Sequence, residues 1–388
     1  VHARKGGSVT APRVSIVMPT YNRRDTILRS VASVRAQSFA DRELVVVDDG
    51  STDGTADVLQ GIDPRLRLIR QENRGVAGAR NTGLASARGS LIAFLDSDDE
   101  WTSHHLGVAT AFFTDHPEEH AFTSEFWEDF GNQRYSKHFR VETGEWYPQT
   151  AARIGSRAFA NPPPEGDPYL WFYQTRSPLS PRMRAVLDGT PHADALHYRG
   201  YIFQGWRWGW LMAMQPTVIT RHALEQVGPC DTSYRIASDF GWLANLCRLF
   251  PMNLISAPGC IKHELAEGQR PLAEGHLVTG RSAIAFHEDV LRFHEELFWK
   301  AAPDDPELSA LRGFRQSLAG AAALSQGARK MAHAHLEQAV TTYPGADTTA
   351  MLWLSRLPQD RLASAAARGM RKASWMAARI RNSLGARS

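Results

Sequence analysis

Cysteine is scarce in this 388-residue chain. Cys230, Cys247 and Cys260 are the full complement, no two are spaced as C-x-x-C, and an odd number cannot all pair within one chain. That pattern excludes a disulfide framework, gives little support to a cysteine metal site, and points to ordinary core thiols in a reducing compartment. Long apolar runs are also missing: no stretch approaches eighteen uninterrupted apolar residues. No membrane-spanning helix is therefore expected. Residues 1–7 are charged and glycine-rich, without the apolar core of a signal peptide, so a cytoplasmic protein is predicted, with residues 1–12 as a tail. Excess charge of one sign is absent. A net charge of +3 carries no polyanion-binding signature, so nucleic acid is not expected as a partner, although a sequence pI of 8.8 leaves room for a local basic face. Glycine-rich nucleotide loops are lacking where they would be needed. The first strand is followed by Pro19-Thr20-Tyr21-Asn22 instead of G-x-G-x-x-G, which argues against a dinucleotide cofactor, and no P-loop lysine motif appears.

What is present is an alternation of strand and helix, with 43% apolar residues to build a core. Residues 14–18 read as a buried strand. A helix over 24–37 follows, with Ile27, Leu28, Val31 and Val34 on its buried face and Asn22 or Asp25 as its expected cap. Residues 44–47 form a second strand ending in Asp48 and Asp49, and 66–69 a third. A helix over 75–88 carries Arg80, and a fourth strand ends abruptly in Asp96-Ser97-Asp98-Asp99. The spacing predicts an α/β fold with a doubly wound, mostly parallel sheet, whose ligand loops share the carboxyl edge. Phosphate charge at that edge would be met by a cation and by side chains such as Arg80. Asp96 and Asp98, two apart across a small serine, can face one hydrated Mg2+ or Mn2+; equally, they can simply cap the helix that follows.

Further along, a helix is expected over 103–115 and a strand near 121–126. From 131 to 210 the pattern dissolves into an irregular insertion containing Pro162-Pro163-Pro164 and many aromatics: Trp146, Tyr147, Tyr169, Trp171, Phe172, Tyr173, Tyr198 and Tyr201. Such a segment reads as an acceptor lid, with simple packing of the aromatics onto the domain as the competing explanation. If extended, it would present Trp206, Trp208 and Trp210 on one face. Order returns over 211–270: a strand-like run at 214–221, a helix over 222–227 stopped by Gly228-Pro229, and a helix over 240–249 that Ser238 or Asp239 can cap. A strand at 252–255 precedes His263. Residues 271–388 are rich in helix formers. A helical hairpin is expected at 308–326 and 332–343. A last helix over 360–384 sets Leu362, Ala366, Met370, Ala373, Ala377, Ile380 and Leu384 against Arg361, Arg368, Arg371, Lys372 and Arg379. That basic amphipathic face suits either peripheral contact with an anionic membrane, at its inner face, or docking on the domain.

Four ordered blocks carry a family resemblance. They are Val-Ser-Ile-Val-Met-Pro-Thr-Tyr-Asn at 14–22, Val-Val-Val-Asp-Asp-Gly-Ser-Thr-Asp at 45–53, Gly-Val-Ala-Gly-Ala-Arg-Asn-Thr-Gly at 75–83 and Phe-Leu-Asp-Ser-Asp-Asp at 94–99. Together residues 14–101 resemble the nucleotide-sugar-binding half of the inverting family 2 glycosyltransferases, which have the GT-A fold, and that half is expected to span residues 13–130. The resemblance implies that Pro19, Thr20 and Tyr21 line a nucleoside pocket, with Asn22 and Ser97 in the same donor site. It implies that Asp49 accepts a hydrogen bond from the base, that Arg80 holds the donor, that Asp96 lies near the ribose, and that Asp98 binds the Mn2+ or Mg2+ bridging the diphosphate. Residues 215–250 resemble the acceptor half, so the catalytic base carries over to Asp239; the family's usual Glu-Asp pair is Ser238-Asp239 here. By the same resemblance His263 completes the metal site or touches the diphosphate. The implied activity is metal-dependent, inverting transfer from a nucleotide-diphosphate sugar, a UDP-sugar above all. The acceptor hydroxyl can belong to a glycan, a lipid-linked saccharide, a small molecule or a protein. Two rival readings are a non-catalytic nucleotide-sugar-binding or assembly protein and a nucleotidyltransferase on a similar sheet.

Overall fold

The computed structural model describes residues 12–129, the backbone of 134–135, and residues 147–263 and 283–356. Residues 1–11 of the expected tail, Trp146 and the expected helix over 360–384 lie outside the described residues. The chain divides into two units, one made of residues 1–146, 162–234 and 238–264, the other of 147–161, 235–237 and 265–388.

The first unit is built on one mixed sheet. Its strands are β1 (Val14–Thr20), β2 (Arg42–Asp48), β3 (Leu66–Arg70), β4 (Leu91–Phe94), β5 (Glu100–Trp101), β6 (Ala121–Asp129), β7 (Arg134–Tyr135), β8 (Thr175–Pro178), β9 (Leu196–Gly200), β10 (Val218–Thr220) and β11 (Met252–His263). The main path runs β3-β2-β1-β4-β10-β6-β11-β9-β8, with β5 on β11 and β7 on β6. Pairing is parallel among β3, β2, β1 and β4 and between β6 and β11, while β10 is antiparallel to both its neighbours.

Burial on both faces explains why β1 and β2 read as nearly unbroken apolar runs. In β2, Leu44 and Val46 join the large core with Ile27, Val31 and Val34 of α1 (Ile27–Arg35) and Leu106, Phe112 and Phe113 of α3 (His105–Asp115). Val45 and Val47 face the other way, onto Ala79 of α2 (Gly75–Ser86). Helices thus cover both faces, which is the predicted doubly wound arrangement. The close approach of α2 depends on Gly83, where a Cβ would stand 2.5 Å from Val17 Cγ1.

The insertion is more regular than its sequence suggests. β8 and β9 form an antiparallel pair, and β9 pairs with the start of β11. The aromatics mostly pack: Tyr169, Phe172, Tyr173 and Tyr198 are buried, whereas Tyr201 is 63% exposed. Trp206, Trp208 and Trp210 do not lie on one extended run, because Phe203–Arg207 is a 3-10 turn; Trp206 and Trp208 are buried, and Trp206 and Trp210 both pack on Phe240. The turn is tight because a Cβ on Gly205 would meet the Phe172 ring at 2.5 Å.

The second unit is helical. Its elements include Tyr147–Arg153, Ala283–His294 continuing into a π turn at Glu295–Trp299, Pro306–Ser325, Arg329–Thr342 and Ala346–Ser355. The expected hairpin is present, and a third helix extends it. Asp305 caps Pro306–Ser325, the longest helix among the described residues, by accepting from the Glu307 and Leu308 amides, with Pro306 in the first turn. Leu336 and Ala332 pack with Leu324 and Met351 in its core, and a Cβ on Gly320 would meet Leu336 at 2.5 Å. Asp289 accepts from the Ile236 and Ala237 amides at 2.7 and 3.1 Å, which ties segment 235–237 to this unit.

Candidate active site

Parallel register brings the ends of β1, β2 and β4 to one edge. Thr20 is level with Asp48, the Asp49 amide donates to the Thr20 carbonyl at 2.9 Å, and the Leu95 amide donates to Val17 at 3.1 Å. Pro19 and Thr20 are buried and Tyr21 is exposed. Asn22 adopts φ 51°, an αL conformation that Asn tolerates better than most residues. Neither Asn22 nor Asp25 caps α1; its N-cap is Thr26, without a side-chain bond. Asn22 is committed elsewhere: its side-chain oxygen accepts from the Thr52 amide and its own amide donates to Ser51 Oγ, both at 2.9 Å. The Arg23 amide donates to Thr55 Oγ1 and the Arg24 amide to Asp53, so the loop after β1 is sewn to the loop after β2.

Asp48 is buried, accepting from the Ser51 amide and facing Arg70 Nε at 3.2 Å. Asp49 presents one oxygen, Oδ1, to Gln71 Nε2 at 2.7 Å and to the Arg74 amide at 2.9 Å. Gln71 is itself oriented by Thr82, whose hydroxyl donates to Gln71 Oε1 at 2.6 Å.

Arg80 points from α2 into the acidic edge. It is 4% exposed and donates through Nη2 to Asp96 Oδ1 at 2.9 Å. Burial would lower its pKa, but Asp96 and Asp239 beside it outweigh that and raise it. Asp239 sits in the first turn of the Ser238–Leu249 helix, partly buried, with Oδ1 accepting from the Phe240 amide at 3.1 Å. Burial raises its pKa, Arg80 opposes that, and Asp96 adds to it. Arg80 thus pairs with Asp96 at the acidic edge and acts electrostatically on Asp239 at the start of the distant helix. Ser238 does not cap that helix; its Oγ has no partner among the described residues.

Ser97 is buried and its carbonyl accepts from Thr26 Oγ1 at 3.1 Å. Asp98 lies 3.3 Å from Arg23 Nε. Burial and the Asp96 charge raise its pKa, with Arg23 and Lys262 acting against them. Asp99 is raised further, by burial and by Asp98. Such crowding of carboxylates, under-compensated by Arg23 and Lys262, is chemistry that a divalent cation would relieve. Among the described residues no three His, Cys, Asp or Glu side chains converge on a metal position. The donor set therefore fits an ion held by one or two carboxylates and by substrate phosphates, as Mg2+ usually is, and not an all-protein cage.

His263 arrives because β11 pairs antiparallel with β5, setting Ile261 opposite Glu100. Its amide donates to Asp99 at 2.9 Å, while Nε2 lies 2.7 Å from Glu100 and Nδ1 3.3 Å from Asp129. The structure brings His263 to the edge of the acidic cluster with both ring nitrogens already engaged.

Sequence reasoning passed over Gln215 and Lys262. Gln215 donates through Nε2 to Asp96 Oδ2 at 2.6 Å, and Lys262 lies over the Trp210 ring at 5.5 Å while acting on Asp98 and Asp99. The only local signal was position: Gln215 in the run that leads into β10, Lys262 beside His263.

Residues 15–175 match the family model described as Glycosyl transferase family 2. A putative teichuronic acid biosynthesis glycosyltransferase, TuaG of Bacillus subtilis, is 44% identical over 116 residues, 29% of this chain and 46% of that protein. The UDP-Glc:alpha-D-GlcNAc-diphosphoundecaprenol beta-1,3-glucosyltransferase WfgD of Escherichia coli is 50% identical over 95 residues, 24% of this chain and 38% of that protein. The chain thus matches less than half the length of these curated relatives. Among solved structures, S. aureus TarS superposes with a TM-score of 0.50 at 14% identity, covering 89% of this chain and 93% of that one, a likeness of fold alone.

Proposed function

We propose that the chain, whose residues 15–175 match the family 2 glycosyltransferase model on a GT-A-type α/β sheet, transfers a sugar from a UDP-sugar to an acceptor hydroxyl with inversion, by one in-line displacement. The observation that carries this reading is Arg80, paired with Asp96 on the donor edge and acting on Asp239 from the Ser238–Leu249 helix. It links the acidic edge where the donor is proposed to bind with the carboxylate proposed as the base.

In the proposed complex Pro19, Thr20, Tyr21 and Asn22 form the nucleoside wall, and Asp49 offers its oxygens to an N–H of the base. Asp96 and Ser97 lie toward the ribose, and Arg80 keeps the donor in register. Asp98 is the proposed metal ligand, with His263 as a second that must release Glu100 or Asp129 to serve. When bound, Mn2+ or Mg2+ would neutralise the charge that gathers on the diphosphate. Asp239 takes the proton from the acceptor hydroxyl as that oxygen bonds to the anomeric carbon. The bond from that carbon to the diphosphate breaks, and the electron pair leaves on the nucleoside diphosphate. Burial makes Asp239 a better base, while Arg80 keeps it ionised; a useful general base needs both.

The similarity to WfgD, a glucosyltransferase with a UDP-glucose donor and a diphosphoundecaprenol-linked acceptor, supports a UDP-sugar and a lipid-linked saccharide as the first pair to assay. No helix among the described residues is long and apolar enough to cross a membrane.

The test is Asp239→Asn. Loss of the base should lower kcat by about 10²–10⁴ while leaving UDP affinity within threefold. Release of UDP at more than a tenth of the wild-type rate would refute the assignment.

A further inference from the structure

Gln215 lies just ahead of β10. Because β10 is antiparallel to β4, with Val218 opposite Ala93, the residues entering β10 stand beside the carboxyl end of β4 and its Asp96. Gln215 is anchored at two points, and its partner Asp96 at one more. Its backbone carbonyl accepts the Trp101 indole N–H at 2.8 Å, its Nε2 donates to Asp96 Oδ2 at 2.6 Å, and Asp96 is itself held through Oδ1 by Arg80. A carboxylate in an ion pair with arginine offers only acceptors, so the amide can present only its nitrogen to Asp96. That fixes the other end of the planar group, Oε1, as an acceptor.

Gln215 is 5% exposed, and Oε1 has no hydrogen-bond partner among the described residues. Arg80 Nε and Thr20 Oγ1, on residues of the same edge, are buried and unpartnered among the described residues as well. Buried polar atoms are nearly always paired, and several orphans gathered at one edge mark where a polar ligand completes the pairing.

We infer that Gln215 Oε1 accepts a hydrogen bond from a hydroxyl of the bound nucleotide sugar, which makes Gln215 a specificity-determining residue of the donor site. The inference rests on the donor site proposed above. A ribose hydroxyl and a hydroxyl of the transferred sugar offer the same chemistry. Each is a short donor, and an amide locked by Asp96 cannot turn to accommodate a ligand that presents an acceptor instead.

Calorimetric titration with Mn2+ tests it, using UDP, 2′-deoxy-UDP, 3′-deoxy-UDP and UDP-glucose against wild type, Gln215→Met and Gln215→Lys. Methionine has nearly the same shape and no amide; lysine keeps a donor toward Asp96 and has no acceptor. If the ribose is read, one deoxy nucleotide binds wild type about tenfold more weakly than UDP, and that gap closes to within twofold in both variants. If the transferred sugar is read, the deoxy gaps are unchanged, and the affinity of UDP-glucose relative to UDP falls about tenfold in both variants. Gaps that are the same in all three proteins overturn the inference. So does closure in Gln215→Met alone, which would assign the effect to the release of Asp96. Failure of wild type to bind any of the four removes the donor site itself, a result distinct from unchanged gaps.

Discussion

The buried carboxylate Glu43, at the start of β2 and opposite the candidate active site, offers a test of what holds the sheet edge together. Its oxygens accept from Ser15 Oγ at 2.7 Å, from Arg67 Nη1 at 2.9 Å, and from the Arg88 amide, Nε and Nη2 at 2.8, 3.0 and 2.7 Å. One side chain thereby ties β1, β2, β3 and the turn into β4. Burial alone would raise its pKa, but Arg88, Ser15 and Arg67 together lower it from 4.5 to about 2. At about 1.4 kcal/mol per pKa unit that is about 3 kcal/mol. The Arg67 and Arg88 side chains are 38% and 52% exposed, so screening reduces the expected contribution to about 1.5 kcal/mol. The folded chain binds this proton more weakly than the unfolded chain. The contribution is therefore complete above pH 4.5 and is lost as pH falls toward 2. Urea unfolding of wild type and Glu43→Gln, followed by circular dichroism, should give a gap of about 1.5 kcal/mol at pH 6 that shrinks below half by pH 3. A gap equal at both pH values would refute the argument, since the carboxylate would then be acting by shape and not by charge.

Asp98→Ala should abolish the strengthening of UDP binding by Mn2+; calorimetry giving the same affinity with and without Mn2+ in wild type would remove the ligand role. Gly83→Val places carbon where Val17 already stands, 2.5 Å from the added Cβ. It should cost roughly 1–3 kcal/mol, and a melting temperature unchanged from wild type would show that α2 can lift off β1 freely. Trp206→Ala empties a fully buried site and should destabilise by roughly 3–5 kcal/mol, whereas a loss under 1 kcal/mol would mean that the insertion is not packed as described.

The acidic sheet edge was legible in the sequence because its strands are buried on both faces. Uniform apolar runs such as 44–47 and 91–95 announce themselves, and the acidic residues that end them fall on one edge once parallel pairing is granted. The partners that residues meet at the edge through antiparallel pairing were not legible. Gln215 meets Asp96 across 119 positions of chain and His263 meets Glu100 across 163, and nothing local to either encodes the partner. The caps expected of Asn22 and Asp25 failed for a related reason: the loop after β2 offered Asn22 better partners than its own helix did. In the insertion, β9 is a strand because β11 presents an edge to it, a fact of tertiary pairing and not of period.

The stitching of the loop after β1 to the loop after β2 has a kinetic and entropic consequence. Four cross-links, through Ser51, Thr52, Asp53 and Thr55, freeze two surface loops into a single rigid wall before any nucleotide arrives. The freedom that flexible loops would surrender on binding has already been given up during folding, so it is not subtracted from affinity. Nucleoside capture on this side should then proceed as a one-step encounter, its rate proportional to ligand concentration, with no slow closing phase contributed by these loops.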